Sequence, residues 1–243
     1  MTIPDYQIVA QLCRNEQHVV HRGRRTADGA PVLVKSPLRH PARPAQIEGL
    51  RREFALLRDL TLPGVPKACD LFRSDGICWL VLEDTGGAPL ASMLAAGPIE
   101  LASFFHLALQ LSSILAGLHR LDVIHKNVQP GSIFVHPATR ELWLGGFDLA
   151  SRGSGETQEP VAPTLLAGTL AYLSPEQTGR MNRAIDHRTD FYSLGITFYE
   201  LLTGLRPFRS ADLLELIHAH IARSPVPPTE LQPGVPEAVS QIV

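Results

Sequence analysis

Hydrophobic and polar positions in the first third of the chain alternate in short runs that predict β-strands. Turn-forming residues separate these runs, among them Asp28-Gly29 and Ser74-Asp75-Gly76. A charged stretch from about residue 45 to 60 interrupts the alternation and predicts a helix. The runs that predict strands are residues 7–10, 19–22, 31–35, 71–72 and 78–82.

After a break at Gly86-Gly87 the pattern becomes mainly helical. One apolar stripe repeats every three or four residues, as on one face of a helix, and consists of Phe104, Ala108, Leu111, Leu115 and Leu118. Strand-like runs follow at 133–136 and 142–144, and helical patterns return at 190–202 and 211–222. Residues 151–163 predict a flexible surface loop, and the proline-rich stretch 225–236 predicts an extended segment.

The 243-residue chain has the composition of a globular protein, with 44% hydrophobic and 19% charged residues. Its 22 Lys and Arg against 24 Asp and Glu give a formal net charge of -2, which argues against a nucleic-acid binder that depends on a broad basic field. Three scattered cysteines form no CxxC motif, so we expect a reducing cytoplasm. Polar residues interrupt the apolar stretch 101–118, which predicts a buried helix rather than a membrane span.

Short motifs occur in a defined order along almost the whole chain. Val32-Leu33-Val34-Lys35 ends a predicted strand, and Glu53 lies in the helix that follows. Later motifs are HKNVQPGS at 125–132, GFD at 146–148, GTLAYLSPEQ at 168–177 and DFYSLG at 190–195. Their order and spacing resemble the signature motifs of protein kinases.

This resemblance implies an α+β fold of two lobes. The N-lobe, residues 1–85, would be an antiparallel β-sheet with one main helix, and the α-rich C-lobe would cover residues 86–243, with Gly86-Gly87 as the hinge. The family pattern continues with further helices, so we expect the C-terminal helices to be missing. Glu176 would then lack the Arg with which a late helix normally pairs it.

The resemblance assigns the nucleotide-binding positions to Lys35, Glu53, Leu33, Phe134, Glu83 and Thr85. Lys35 would contact the α- and β-phosphates, and Glu53 would hold Lys35. Leu33 and Phe134 add bulk to the adenine slot, so we expect the chain itself to fill it. Residues 12–18 stand where kinases have a glycine-rich phosphate loop, yet they contain no glycine. We therefore expect weak or absent binding of ATP and Mg²⁺.

The positions that handle protons and metal ions in protein kinases carry other residues here. Asn127 replaces the catalytic Asp, and an amide accepts a proton far less readily than a carboxylate does. Gln129 replaces the neighbouring Lys, which removes a positive charge from the place where negative charge develops. Ser132 and Gly146 replace the metal-holding Asn and Asp. The resemblance also counts Thr169 among the catalytic positions.

Asp148 admits two interpretations. Because Phe147 keeps the register of the GFD motif and should pack inside, we expect Asp148 to be a solvent-exposed or turn residue. The alternative is a shifted loop that brings the Asp148 carboxylate to a metal ion.

The run 168–183 and the helix after it also resemble kinase-like domains that open large bacterial sensor histidine kinases. The sequence therefore predicts a catalytically impaired pseudokinase, a regulatory module whose partners are the downstream domains of a longer parent chain or a separate protein. No nucleic acid and no direct membrane span are expected. Two alternatives remain: an active Ser/Thr kinase with Asp148 as a metal ligand, and a scaffold that binds no nucleotide.

Overall fold

The computed structural model describes residues 2–39, 41–153, 170–180 and 183–243. Its N-terminal part is a six-stranded sheet in the order β1-β2-β3-β4-β6-β5, with every neighbouring pair antiparallel. The strands are β1 (Thr2–Ile3), β2 (Tyr6–Arg14), β3 (His18–Arg25), β4 (Pro31–Pro37), β5 (Ala68–Ser74) and β6 (Ile77–Glu83). The alternating pattern predicted all of them except the two-residue β1, and the antiparallel N-lobe is confirmed.

One helix, α1 (Pro44–Asp59), packs across this sheet. Pro44 lies in its first turn, where the missing N–H of proline removes no intrahelical hydrogen bond. Leu50 and Leu57 are buried against the sheet, and Glu53 lies on the same face because it is three residues from one and four from the other. The helical period thus carries a carboxylate into the core of the N-lobe.

The remaining chain is mainly helical and confirms the α-rich C-lobe. Its helices are α2 (Leu90–Leu94), α3 (Leu101–Arg120), α4 (Arg188–Thr203), α5 (Leu213–Ala222), α6 (Pro228–Leu231) and α7 (Glu237–Ser240). Two small sheets accompany them, one of β7 (Ala88–Pro89), β9 (Ile133–Val135) and β10 (Leu142–Leu144), the other of β8 (Val123–Ile124) and β11 (Ser151–Arg152). Both lobes share one hydrophobic core that runs from Leu50 through Phe147 to Leu201.

Helix α3 forms the centre of the C-lobe. Among the described residues it is the one helix that is long and apolar enough to cross a membrane by length and composition. Its apolar stripe nevertheless lies against α4, β8 and β10, where the Phe104 ring meets the Phe198 ring edge-to-face at 5.3 Å between centroids. The predicted buried stripe is confirmed, with Leu111, Leu115 and Leu118 almost completely enclosed.

The proline-rich stretch is not simply extended, as the sequence suggested. Pro227 is the N-cap residue of α6 and Pro236 is the N-cap residue of α7, while Pro228 lies in the first turn of α6. Proline fixes φ near -65°, which suits the start of a helix as well as an extended chain, so composition alone did not distinguish the two. Of the predicted loop 151–163, only residues 151–153 lie within the described part of the chain.

Candidate functional site

A buried ion-pair cluster lies between the sheet and α1. Lys35 of β4 places its Nζ 2.6 Å from Glu53 Oε2 and 3.2 Å from Asp148 Oδ1. The other Glu53 oxygen accepts a hydrogen bond from the backbone N–H of Phe147 at 3.2 Å. The predicted Lys35–Glu53 pair is therefore formed, and a second carboxylate shares the same ammonium group.

Burial makes this cluster electrostatically demanding. Lys35 is 6% exposed, Glu53 0% and Asp148 9%. Burial lowers the pKa of Lys35, but the carboxylates of Asp148 and Glu53 outweigh it and hold the pKa above its ordinary value. Burial raises the pKa of Glu53, whereas the Lys35 ammonium outweighs burial at Asp148 and lowers the pKa of that carboxyl. Lys35 thus stays charged, and two carboxylates of the chain share its ammonium group.

The prediction that Asp148 is a solvent-exposed or turn residue is wrong with respect to its exposure. Phe147 packs inside as expected, edge-to-face on His125 at 4.5 Å between centroids. A single 3-10 turn, Phe147–Leu149, begins after Gly146 in the left-handed conformation (φ 78°) and turns the next side chain back toward Lys35. Asp148 packs beside Gly49 of α1, where an added Cβ would be in ordinary van der Waals contact with Asp148 Cβ at 3.4 Å.

The amide groups that replace catalytic residues bond to each other and to the backbone. Gln129 Nε2 donates to Asn127 Oδ1 at 2.5 Å, and Asn127 Nδ2 donates to the carbonyl oxygen of Gly146 at 3.3 Å. Both polar atoms of the Asn127 side chain therefore have internal partners. The structure brings these two residues together beside Gly146, and neither supplies a carboxylate or a cation.

The loop that carries Asn127 is anchored by Asp190 of α4. This buried carboxylate accepts hydrogen bonds from the backbone N–H groups of His125 and Lys126 at 2.9 and 2.7 Å, and it lies 2.8 Å from His119 Nε2. The His125 ring donates through Nε2 to the carbonyl of Gly145, so its Nδ1 is free to accept from Asn127 N–H. Lys126 adopts φ 63°, a strained value that this anchoring sustains.

A cavity of about 560 Å³ opens between the lobes next to the cluster. Leu33 and Phe134 line it, together with Glu83 and Thr85 at the segment that joins the lobes. The expectation that Leu33 and Phe134 fill this space is wrong, because the cavity has the size of an ordinary small-molecule site. All six predicted nucleotide-binding positions border it.

One residue of this cavity escaped the sequence analysis. His18, the first residue of β3, is 3% exposed and lies near both Lys35 and Asp148. A tight turn places it there, in which Asn15 Oδ1 accepts from the N–H groups of Gln17 and His18. Burial and the nearby Lys35 lower the pKa of His18 to about 4. The signal in the sequence is a histidine at the end of a loop that contains no glycine.

Comparison with known proteins places this architecture in a family. The model of the protein kinase domain matches residues 6–241. The chain belongs to the protein kinase family.

Individual relatives are bacterial serine/threonine kinases and one hybrid histidine kinase. The chain is 28% identical to Serine/threonine-protein kinase Pkn1 of Myxococcus xanthus, over 98% of this chain and 34% of that protein. It is 30% identical to Serine/threonine-protein kinase PknA of Mycobacterium tuberculosis, over 81% of this chain and 46% of that protein. Over 31% of the chain it is 52% identical to Hybrid signal transduction histidine kinase G of Dictyostelium discoideum, of which it covers 2%. The chain thus spans under half the length of each of these relatives.

Protein kinases hold Mg²⁺ with an Asp and an Asn, and this chain does not fit that requirement. Gly146 offers no side chain, and a Cβ there would lie only 2.8 Å from Ser132 Oγ. Asp148 is engaged by Lys35. Among the residues that the structure describes, no three His, Cys, Asp or Glu side chains are grouped to hold a metal ion. The donor set of a kinase metal pair is therefore missing from the described cleft.

Two further predicted features have different outcomes. Glu176, which was expected to lack its Arg, has a hydroxyl as a partner: its Oε1 accepts a hydrogen bond from Thr189 Oγ1 at 2.5 Å. The hydroxyl of Thr189 lies at the start of α4 and also accepts from Ser174 Oγ. Thr169 lies outside the described residues.

Proposed function

We propose that this protein kinase domain is a catalytically impaired, pseudokinase-type regulatory module of a bacterial signalling protein. The observation that carries the proposal is the state of the cleft: the position of the metal-holding Asp is Gly146, and the carboxylate two residues later is bonded to Lys35. Two carboxylates of the chain already offset the charge of Lys35, and one of its three N–H donors is left for the phosphates of ATP.

The catalytic loop supports the same conclusion. Asn127 stands in place of the proton acceptor, and loss of such a group typically lowers a rate by about 10²–10⁴-fold. Its side-chain oxygen and nitrogen are hydrogen-bonded to Gln129 and to the carbonyl of Gly146, and not directed at an incoming hydroxyl. Gln129 adds no positive charge. The proton-handling and charge-stabilising tasks of phosphoryl transfer thus lack their usual groups.

A phosphotransfer assay tests this proposal. The purified domain is incubated with radiolabelled Mg·ATP and a generic protein acceptor, and both acceptor labelling and self-labelling are measured against an active kinase. We expect no labelling above background. The matched variant is Lys35→Arg, which keeps the buried positive charge. Robust labelling that this variant abolishes, with folding retained by circular dichroism, would overturn the proposal.

A second candidate is an active Ser/Thr kinase with an unconventional metal arrangement. It is favoured by the burial of Asp148 in the cleft, 3.2 Å from Lys35. In that case Asp148→Asn would abolish turnover, whereas Asn127→Asp with Gly146→Asp would change it little. Under the pseudokinase proposal the wild type is inactive, and any gain of activity is confined to the variant that combines Asn127→Asp with Gly146→Asp.

The regulatory role is inferred from the type of protein in which similar sequence occurs. The stretch that is 52% identical to a hybrid signal transduction histidine kinase favours a place in a signalling chain. We propose a cytoplasmic module that docks on downstream domains of the same chain or on a partner protein. A pure scaffold is its limiting case, in which no small molecule enters the cleft, and ligand-binding measurements separate the two.

A further inference from the structure

The charges that line the interlobe cavity are mainly negative. Among the described residues bordering it are two cations, Arg14 and Lys35, and four carboxylates, which gives a formal charge of -2. The carboxylates are those of Glu16, Glu53, Glu83 and Asp148. Since Glu53 has a raised pKa, its protonation would bring this to -1 and never to a positive value. A triphosphate carries several negative charges, so the cavity opposes its entry.

The one lysine that borders the cavity is already paired with carboxylates. Lys35 lies 2.6 Å from Glu53 and 3.2 Å from Asp148 and is almost fully buried, so its charge is offset within the chain. His18 is neutral near pH 7, because its pKa is lowered to about 4. Arg14 lies at the exposed outer end of β2. In active kinases the backbone N–H groups of a glycine-rich loop bind the phosphates. In the β2–β3 turn of this chain, the N–H groups of Gln17 and His18 instead donate to Asn15 Oδ1.

Neutral and apolar side chains form much of the remaining lining. His18 borders the cavity next to Lys35 and Asp148, and its Nε2 is buried without a hydrogen-bond partner in the described structure. Apolar side chains of Leu12, Val20, Leu33 and Phe134 border the same space, and Glu83 and Thr85 lie at the lobe junction. This lining suits an apolar body with a few hydrogen-bonding groups better than a chain of charged phosphates.

We propose that the cleft binds an uncharged or cationic, flat, nucleoside-like ligand and rejects nucleoside triphosphates, with or without Mg²⁺. The proposal deepens the pseudokinase function and rests on it, because a domain that regulates by ligand occupancy has no need of a phosphoryl donor. It assigns the ligand class by charge: the more phosphates a nucleoside carries, the weaker it binds.

The test is a binding series on the whole chain with adenosine, AMP, ADP and ATP as probes, each with and without Mg²⁺. Isothermal titration gives dissociation constants, and thermal-shift measurements confirm them, since a ligand that binds only the folded state raises the unfolding temperature. We expect adenosine to bind at least about tenfold more tightly than ATP, with AMP and ADP between them, because one like-charge contact at short range is worth such a factor. Mg²⁺ should lessen the repulsion of ATP only by neutralising part of its phosphate charge, so that Mg·ATP still binds more weakly than adenosine. Added salt should narrow the difference between adenosine and ATP by screening the repulsion.

Charge-neutralising variants locate the repulsion. Glu83→Gln, at the exposed rim of the cavity, and Asp148→Asn, at its inner end, should each strengthen ATP binding relative to adenosine by several-fold. Glu48→Gln removes the same charge from the outer face of α1, away from the cavity, and should leave the ratio unchanged. Glu83→Gln keeps the test valid if Asp148→Asn folds poorly.

Three results would overturn the inference: tighter binding of ATP than of adenosine, a strong requirement for Mg²⁺, or no binding of any probe. The phosphotransfer assay on the same samples separates this failure from that of the proposed function. A domain that binds Mg·ATP tightly but transfers no phosphate refutes the ligand class and leaves the pseudokinase proposal standing. Measurable phosphotransfer would refute both.

Discussion

Replacement of Lys35 by methionine should destabilise the fold, although the same lysine in an active kinase serves mainly the nucleotide. Both Glu53 and Asp148 bond the same ammonium nitrogen, so their carboxylates lie within about 6 Å of one another, and at an effective dielectric constant near 20 their repulsion alone is about 3 kcal/mol. Removing one member of a buried ion pair generally costs about 3–5 kcal/mol, and we expect a loss in this range for Lys35→Met. Such a loss is a large part of the roughly 5–15 kcal/mol that stabilises an ordinary domain.

Urea denaturation at pH 7, followed by circular dichroism and by tryptophan fluorescence, gives the free energy of unfolding. The rescue variant combines Lys35→Met with Glu53→Gln and Asp148→Asn, and it should recover more than half of the loss because no unpaired buried charge remains. In Lys35→Met alone the carboxyl pKa values rise in the folded state. Its deficit relative to wild type should therefore shrink as the pH falls, since protonation then favours the folded state. A deficit below about 1 kcal/mol, as at an exposed ion pair, or a rescue variant no more stable than Lys35→Met, would refute this reasoning.

Three further predictions concern other parts of the fold. His220 is buried with its pKa lowered to about 4, so the folded state binds fewer protons than the unfolded state between that pH and 6.5. Wild-type stability should therefore fall across this window as the pH decreases. His220→Gln should lessen the fall in urea midpoints measured at pH 7, 6 and 5, and His18, whose pKa is also lowered to about 4, should maintain the rest of it. Asp190→Asn should lower the free energy of unfolding by about 3 kcal/mol, because it weakens charge-assisted hydrogen bonds to two backbone N–H groups. The control Asp75→Asn, in an exposed turn, should change it by less than about 0.5 kcal/mol. Equal shifts of the thermal unfolding temperature for the two variants would contradict the anchoring role of Asp190. Gly146→Asp should lower the free energy of unfolding by about 1–2 kcal/mol, because the backbone is left-handed there and the new side chain would collide with Ser132. Adding Ser132→Gly should recover part of that loss. Strict additivity of the two changes in a double-mutant cycle would disprove the contact.

The signature motifs allowed much of the site to be predicted from the sequence. The pairing of Lys35 with Glu53 followed from the resemblance and is present. The residues at positions 127 and 146 differ from those of active kinases in their chemical groups, and no fold can reverse this. Glycine has no side chain to bind a metal ion, and the amide of Asn127 is a poor proton acceptor. Local patterns also predicted seven of the eleven described strands, all but the two-residue ones, and the apolar stripe of α3. Strand alternation and helical period are properties of neighbouring residues.

The tertiary structure decided the orientation of the side chains whose positions the kinase motifs do not specify. Asp148 follows Phe147 in a surface-like position of the motif, but a left-handed Gly146 and one 3-10 turn bring its carboxylate to a lysine 113 residues earlier in the chain. His18 is likewise enclosed only because strands β2 and β3 fold over the cleft. These outcomes depend on contacts between residues distant in sequence, and the attraction between the Asp148 carboxylate and the buried ammonium of Lys35 favours such a contact. The sequence by itself determined which catalytic groups are lost, and the folded chain determined what occupies their place.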